Sequence, residues 1–282
     1  MRHSKNLQGM SRSTVGVGSA SQNKVLAALP QIDWQRVGQH LFALEMPAGK
    51  TLCEPNSRLD YAYFPTTSII SVLHVDADGA STEIAAIGNE GLVGVTLFMG
   101  GGTTANRVVV QSKGQMYRLK SKILKEEFSR GGALQLLLLQ YTHALLTQIS
   151  QTAVCNRRHS IDQQLCRWLL LSLDRLASEE LTMTHELLAN TLGVRREGIT
   201  EAAHKLQTAG LITYRRGRIT VIDRSGIEAC CCECYGVVRR EYDRLPGPYA
   251  YSLHTPPVAA ASATDYSARG NGVDRIGASL AV

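Results

Sequence analysis

The segment from Thr184 to Leu206 limits what this chain can become more than any other: it reads as two short helices joined by a tight turn. Ala189 supplies the small side chain that crossing helices need, Gly193 accepts a positive φ in the turn, and Ile199 anchors the second helix. Leu188, Leu192 and Val194 add apolar packing. Such a helix leaves Arg195, Arg196, Glu197, Thr200, Glu201, His204 and Lys205 on its outside, side chains that reach phosphates and base edges.

The residues beyond the second helix narrow the reading. Ala209-Gly210 is a glycine stop signal. Leu211–Tyr214 and Arg218–Ile222 then read as strands, joined by Arg215-Arg216-Gly217 as a short hairpin turn. A helix-turn-helix succeeded directly by a β-hairpin is a winged helix. Its wing tip carries Arg215, Arg216 and Arg218, placed to lie beside a phosphate backbone.

This order, with the run from Gly193 to Glu201, resembles the DNA-binding domain of the Crp/Fnr superfamily of bacterial transcription regulators. The resemblance puts Arg196 and Glu197 on the family's Arg-Glu pair, which reads base edges in the major groove. The chemistry agrees: arginine bonds guanine O6 and N7, and a carboxylate accepts from cytosine N4. Three residues depart from the pattern. Arg195 stands in place of a serine-like helix cap, Gly198 sits inside the helix at a cost of about 1 kcal/mol relative to alanine, and Glu201 stands where relatives often carry a second arginine. The preferred operator should therefore differ from the family's best-known sites. The resemblance further implies a cytoplasmic homodimer on a two-fold symmetric double-stranded DNA operator, and RNA polymerase as a partner if the protein is an activator.

Composition fits these expectations. The chain has 282 residues, 44% of them hydrophobic, and a net charge of +6, a mild basic bias that suits a polyanionic partner. No apolar run approaches the ~20 residues of a membrane span, and no secretory signal is visible, so no membrane partner is expected. The seven cysteines are odd in number and form no disulfide-like framework. Four of them crowd into Cys230-Cys231-Cys232-Glu233-Cys234. On a helix continuing past the wing, neighbouring side chains point around the axis, and only Cys230 or Cys231 with Cys234 has ligand spacing. No nearby Cys or His pair completes a site, so these cysteines read as small buried hydrophobes with no metal and no cofactor. The alternative is a redox or metal sensor switched by the Cys230–Cys234 cluster, with Cys155 or Cys166 as further participants.

Along the chain, residues 1–22 read as a disordered tail. Residues 23–40 suggest a short amphipathic helix broken at Pro30. From about 41 to 118 short strands take over: Tyr61–Phe64, Ser68–Val75, Thr82–Ile87, Arg107–Gln111 and Gln115–Leu119, with Gly, Pro, Asn and Asp between them. This pattern suggests an antiparallel jelly-roll barrel and matches the Crp/Fnr sensor domain. The expected class is thus α+β, divided into a cyclic-nucleotide-binding-like jelly-roll sensor domain over 23–131, a dimerisation helix and hinge over 132–156, a winged helix-turn-helix over 157–245 and a flexible tail over 246–282. In the long helix, Leu134, Leu138, Tyr141, Leu145, Gln148 and Thr152 alternate steps of four and three, the pattern of a seam between subunits. Cys155-Asn156-Arg157-Arg158 is the expected hinge.

Cyclic-nucleotide-binding relatives hold the ribose with a glutamate and the cyclic phosphate with an arginine. Here Gly91 and Gly94 keep the backbone pattern, but Val95 occupies the glutamate's place. Arg107, after Asn106, is displaced toward the next strand, where an even shift keeps its face and leaves a role with an anion open. The domain is therefore expected not to bind cyclic AMP in the usual way; an unknown small-molecule effector remains open. No nucleophile elbow, P-loop or His-Glu-x-x-His run appears, and the strand region offers only His40 and His74, so no catalytic residues and no enzyme activity are expected.

Overall fold

The computed structural model describes residues 17–246 apart from Ala177 and Glu179. The expected tail over 1–22 lies outside this range up to residue 16. From Val17 the chain is ordered: α1 (Val17–Ala20) leads into α2 (Lys24–Ala27), and Ala20 is fully buried. The buried Asn23 anchors this entry by capping α2 at Leu26 N and donating to the carbonyls of Pro65 and Gly91. Pro30 ends this stretch and stands immediately before α3 (Gln31–Gly38), as its fixed φ and missing N–H favour.

Next in the chain come the strands β1 (Phe42–Met46), β2 (Thr51–Cys53), β3 (Tyr61–Pro65), β4 (Ile69–Val75) and β5 (Ser81–Ile87). After the short α4 (Val95–Phe98) come β6 (Arg107–Ser112) and β7 (Gly114–Lys120). They pair antiparallel into two sheets, ordered β1-β7-β3 and β2-β6-β4-β5. Leu44, Phe64, Met116 and Leu119 from one sheet share a core with Ile70, Ile87, Val108 and Val110 from the other. This is the jelly-roll arrangement. In β6 the buried Val108 and Val110 alternate with half-buried neighbours, as successive side chains point to opposite faces, whereas β4 and β5 each bury three residues in a row.

α5 (Ser121–Ser129) leads to α6 (Ala133–Arg158), the long helix. The stripe expected to face a second subunit faces its own chain instead. Leu134, Leu138, Tyr141, Gln148 and Thr152 are buried, and Leu145 packs against the same core. The outward face carries Leu136, Leu139 and Leu146, exposed by 45%, 48% and 54%. Two apolar stripes run along this helix, and spacing alone cannot say which one the jelly roll takes. The hinge also moves: Cys155–Arg158 remain helical, and the chain bends at His159-Ser160. Ser160 and Gln163 form a capping box there, which starts α7 (Ile161–Leu173).

The C-terminal part contains β8 (Glu180–Thr182), α8 (His185–Leu192), α9 (Arg196–Thr208), β9 (Ile212–Arg215), β10 (Arg218–Val221), α10 (Arg224–Cys230) and α11 (Cys234–Asp243). Its sheet runs β8-β10-β9, around a second core of Leu165, Trp168, Leu169, Leu188, Ile199, Ile219 and Ile227. The two parts are tied together. Val238 and Tyr242 of α11 join the jelly-roll core. The buried guanidinium of Arg175 bonds Glu90 at 2.8 Å and Gln148 at 2.7 Å, and Gln148 donates to the Ala86 carbonyl. The tail from residue 247 lies outside the described residues.

Candidate nucleic-acid interface

Thr184 begins the site by capping α8 at Leu187 N. Gly193 closes α8 in the left-handed region at φ 66°, a conformation glycine reaches without the Cβ penalty. Ala189 and Ile199 are buried where α8 meets α9, and Ala202, Ala203 and Leu206 hold α9 on the domain core. A Cβ at Gly198 would come within 2.6 Å of Ile161 Cδ1, the movable end of that side chain. The glycine's helix-propensity penalty accompanies a close approach of α9 to α7. Arg195 stands at the N-cap of α9 with no side-chain cap bond.

With the inner face used for packing, Arg195, Arg196, Glu197, Thr200, Glu201, His204 and Lys205 all emerge on the exposed side. Arg215, Arg216 and Arg218 are exposed at the wing. The turn is shorter than expected. Arg215 pairs with Arg218 across the hairpin, leaving Arg216 (φ 50°) and Gly217 (φ 76°) as a two-residue turn with both φ values positive. That is the turn whose twist suits a hairpin, and it suits Gly217 better than Arg216.

A cleft of about 390 Å³ lies between α9 and the wing, lined among others by His185, Arg196, Thr200, His204, Tyr214 and Arg216. Its floor is organised by His185. Thr200 Oγ1 lies 3.0 Å from His185 Nδ1 and donates to the Arg196 carbonyl, also at 3.0 Å. The His185 ring meets Tyr214 edge-on at 4.4 Å, and Tyr214 Oη donates to the Met183 carbonyl. Burial, together with the weaker effect of the Arg196 charge, holds the His185 pKa below its ordinary value. His185 and Tyr214 were missed from the sequence. Neither belongs to the exposed face of α9, and only the fold of the wing over α8 brings them to it.

The charged residues divide by their partners. Lys205 bonds Glu201 at 2.9 Å and Asp162 at 3.4 Å, and Arg218 bonds Glu180 at 3.3 Å. Among the described residues, Arg195, Arg196, Arg215 and Arg216 form no ion pair within the chain.

The candidate sensor residues separate. Gly94, Val95 and Asn106 line a cavity of about 190 Å³ between β4, β5, β6 and the inner side of α6, together with Val72, Ile84, Val108, Leu145 and Ile149. Gly91 instead makes room for Tyr141: a Cβ there would lie 2.0 Å from the ring, whose hydroxyl donates to the Leu92 carbonyl. Arg107 is outside the cavity lining and bonds Glu54 at 2.8 Å on the surface.

The cysteine run is not one helix. α10 ends at Cys230, Cys231 is extended, and α11 begins at Cys234. The break exposes Cys230 and turns Cys232 and Cys234 inward toward Cys155 of α6. The expected Cys230/Cys234 pairing is thus replaced by a grouping across the domain junction, which lies beyond the reach of local helical spacing.

These elements define a winged helix-turn-helix domain joined through a long helix to a jelly-roll domain, with a basic face on the second helix of the motif and on the wing. Residues 163–230 match the family model of the Crp-like helix-turn-helix domain. In solved structures, similar folds include FixK2 from Bradyrhizobium japonicum, at 14% identity over 68% of this chain and 98% of that one, with a TM-score of 0.58. A Crp/Fnr-family transcriptional regulator from Thermus thermophilus is 19% identical over 67% of this chain and 97% of its own, with a TM-score of 0.54. The c-di-GMP-responsive global regulator CLP of Xanthomonas campestris is 16% identical over 68% of this chain and 99% of its own, with a TM-score of 0.53. No curated protein matches the sequence. Residues 163–230 thus form a Crp-like helix-turn-helix domain, and the chain shares its fold with solved structures of Crp/Fnr-family regulators. Among the described residues, no helix is long and apolar enough to cross a membrane.

Proposed function

We propose that this protein binds double-stranded DNA as a homodimer and regulates transcription from a two-fold symmetric operator. The observation that carries this reading is the exposed run Arg196, Glu197, Thr200 and His204 along α9, flanked by the exposed wing arginine Arg216 across an open cleft. Arg196 and Glu197 read base edges. Thr200, Glu201 and His204 lie along the same groove, with the Thr200 hydroxyl already engaged by His185. Arg195, Lys205, Arg215, Arg216 and Arg218 contact phosphates. The exposed Leu136, Leu139 and Leu146 supply the dimer seam. Their spacing continues through Ala153, also exposed, so a second copy covers one continuous stripe of α6. Two copies of α9 about one DNA turn (~34 Å) apart would then meet successive major grooves.

The cavity beside α6 is the effector site in this reading. Its lining from Val72, Val95, Val108, Leu145 and Ile149 selects a small apolar molecule rather than cyclic AMP, since Val95 accepts no ribose hydroxyl and Arg107 points elsewhere. The protein works in the cytoplasm, engages RNA polymerase if it activates, and catalyses no reaction. Selection of bound sites from random DNA tests the proposal. An inverted repeat is expected, and Arg196→Ala should cost about 1–3 kcal/mol on that site and relax one base-pair preference. Equal losses on selected and random DNA would refute the role of Arg196, and an asymmetric single half-site would refute the dimer.

A further inference from the structure

The end of α6, the bend after it and the connection between α10 and α11 meet at one point. Cys155 and His159 lie one helical turn apart, so both face the same side. Opposite them are Cys232 and Cys234, with Glu233 outside. One donor atom from each of Cys155, His159, Cys232 and Cys234 lies within 4.8 Å of all the others. Cys155 Sγ is 3.6 Å from Cys232 Sγ, and Cys234 Sγ is 3.6 Å from His159 Nδ1. A tetrahedral zinc site with Zn–S ≈ 2.3 Å and Zn–N ≈ 2.0–2.1 Å has donor–donor edges of ~3.4–3.8 Å. Two of the six edges thus lie at mononuclear-ion spacing, and the other four lie within 4.8 Å. An iron–sulfur cluster distributes its cysteines over separate irons and spaces them more widely.

We propose that Cys155, His159, Cys232 and Cys234 form a closed Cys₃His site for a thiophilic divalent cation of the zinc type, which clamps the long helix to the DNA-binding domain. Two further features support the assignment. The second ring nitrogen of His159, Nε2, lies 3.3 Å from Glu233 Oε1, the carboxylate–histidine pairing that fixes the tautomer in which Nδ1 is the ligand. The buried Arg167 guanidinium, held by Thr152, sets a positive charge beside Cys155 and Cys234. Zn²⁺ binds the three sulfurs as thiolates, the thiol protons they still carry going to solvent, and leaves a site of net charge −1, which Arg167 compensates. Four protein donors leave no open position, so the site is structural rather than catalytic. It spans the bend at His159-Ser160, and the ion sets the angle at which α9 is carried relative to α6.

The site is tested on the full-length protein, reduced, without an affinity tag and freed of metal, by titration with Co²⁺ and then Zn²⁺. One equivalent of Co²⁺ per chain should produce the intense visible bands of a tetrahedral thiolate site, and Zn²⁺ should bleach them. Cys155→Ser and Cys232→Ser should abolish the bands, whereas Cys230→Ser and Cys53→Ser should leave them unchanged. His159→Cys should retain one equivalent with shifted bands, and Glu233→Gln should weaken binding by ~10–100-fold. Weak octahedral-type bands in the wild type, bands that survive Cys232→Ser, or iron and sulfide in the freshly isolated protein would overturn the assignment. The wild-type titration decides the matter even if a serine variant fails to fold. None of these readouts involves DNA, so failure here is separable from failure of the DNA-binding proposal.

Discussion

Replacing Arg175 by methionine removes a buried charge while keeping the methylene stem that lies over Gly88, where a Cβ would meet Arg175 atoms at 2.6–2.7 Å. Arg175 and Glu90 have side chains only 4% and 6% exposed and are bonded at 2.8 Å. Glu90 accepts otherwise from Gly88 N at 3.1 Å, and its second oxygen has no partner among the described residues. Removing the guanidinium strands a buried carboxylate and frees Gln148 Oε1 as well. The loss for breaking such a pair is about 3–5 kcal/mol, against about 0–1 kcal/mol for an exposed bridge. At ~2–4 °C per kcal/mol for a chain of this size, Tm should fall by roughly 6–20 °C. Denaturant unfolding of Arg175→Met, Glu90→Gln and the double variant forms a cycle, and the double variant should cost less than the sum of the single ones. Single losses below ~1 kcal/mol, or no coupling in the cycle, would refute the argument that this pair locks the winged-helix domain onto the jelly roll. Amide exchange should show the same lock opening first at the bend after α6.

Other perturbations test the interface and the seam. Arg216→Asn should relieve the positive φ of the wing turn and stabilise the protein by a few tenths to ~1 kcal/mol, while weakening all DNA sequences alike and flattening the salt dependence. Calorimetry and binding at two ionic strengths check it; a sequence-selective loss would contradict the phosphate role. Leu139→Glu with Leu146→Glu should convert a dimer into a folded monomer by light scattering, whereas an unchanged mass would move the seam elsewhere. Because His185 titrates below its unfolded value of ~6.5, its contribution to stability is full above that pH and is lost as pH falls through the folded pKa. Proton NMR should find this depressed pKa, and Arg196→Ala should raise it; no movement would remove Arg196 as a cause.

Five of the seven jelly-roll strands were legible because β-rich runs and the turn residues between them are local, whereas β1 and β2 were not read from the sequence. The helix-turn-helix was legible for the same reason: Ala189, Gly193 and Ile199 declare a crossing, a left-handed turn and an anchor within one short stretch. Those anchors also gave the exposed face of α9. The long helix was legible as a helix but not in its orientation, since Leu134–Thr152 and Leu136–Leu146 offer rival apolar stripes, and only contact with the sheets selects the first. Arg107 looked like a relic of an anion site until Glu54 came to it from a distant loop.

Periodicity, turn chemistry and side-chain type thus determined the order of the elements and the exposed face of α9, because each is encoded within a few residues. Tertiary structure alone decided the rest. It chose the face of α6 left exposed, lined the cavity beside that helix with apolar groups, and brought Cys155 and His159 to Cys232 and Cys234 across more than seventy residues of chain. The physical reason is that helical spacing fixes which side chains are neighbours on one element, whereas the broken helix at Cys231 and the bend at His159-Ser160 create neighbours that no local period contains.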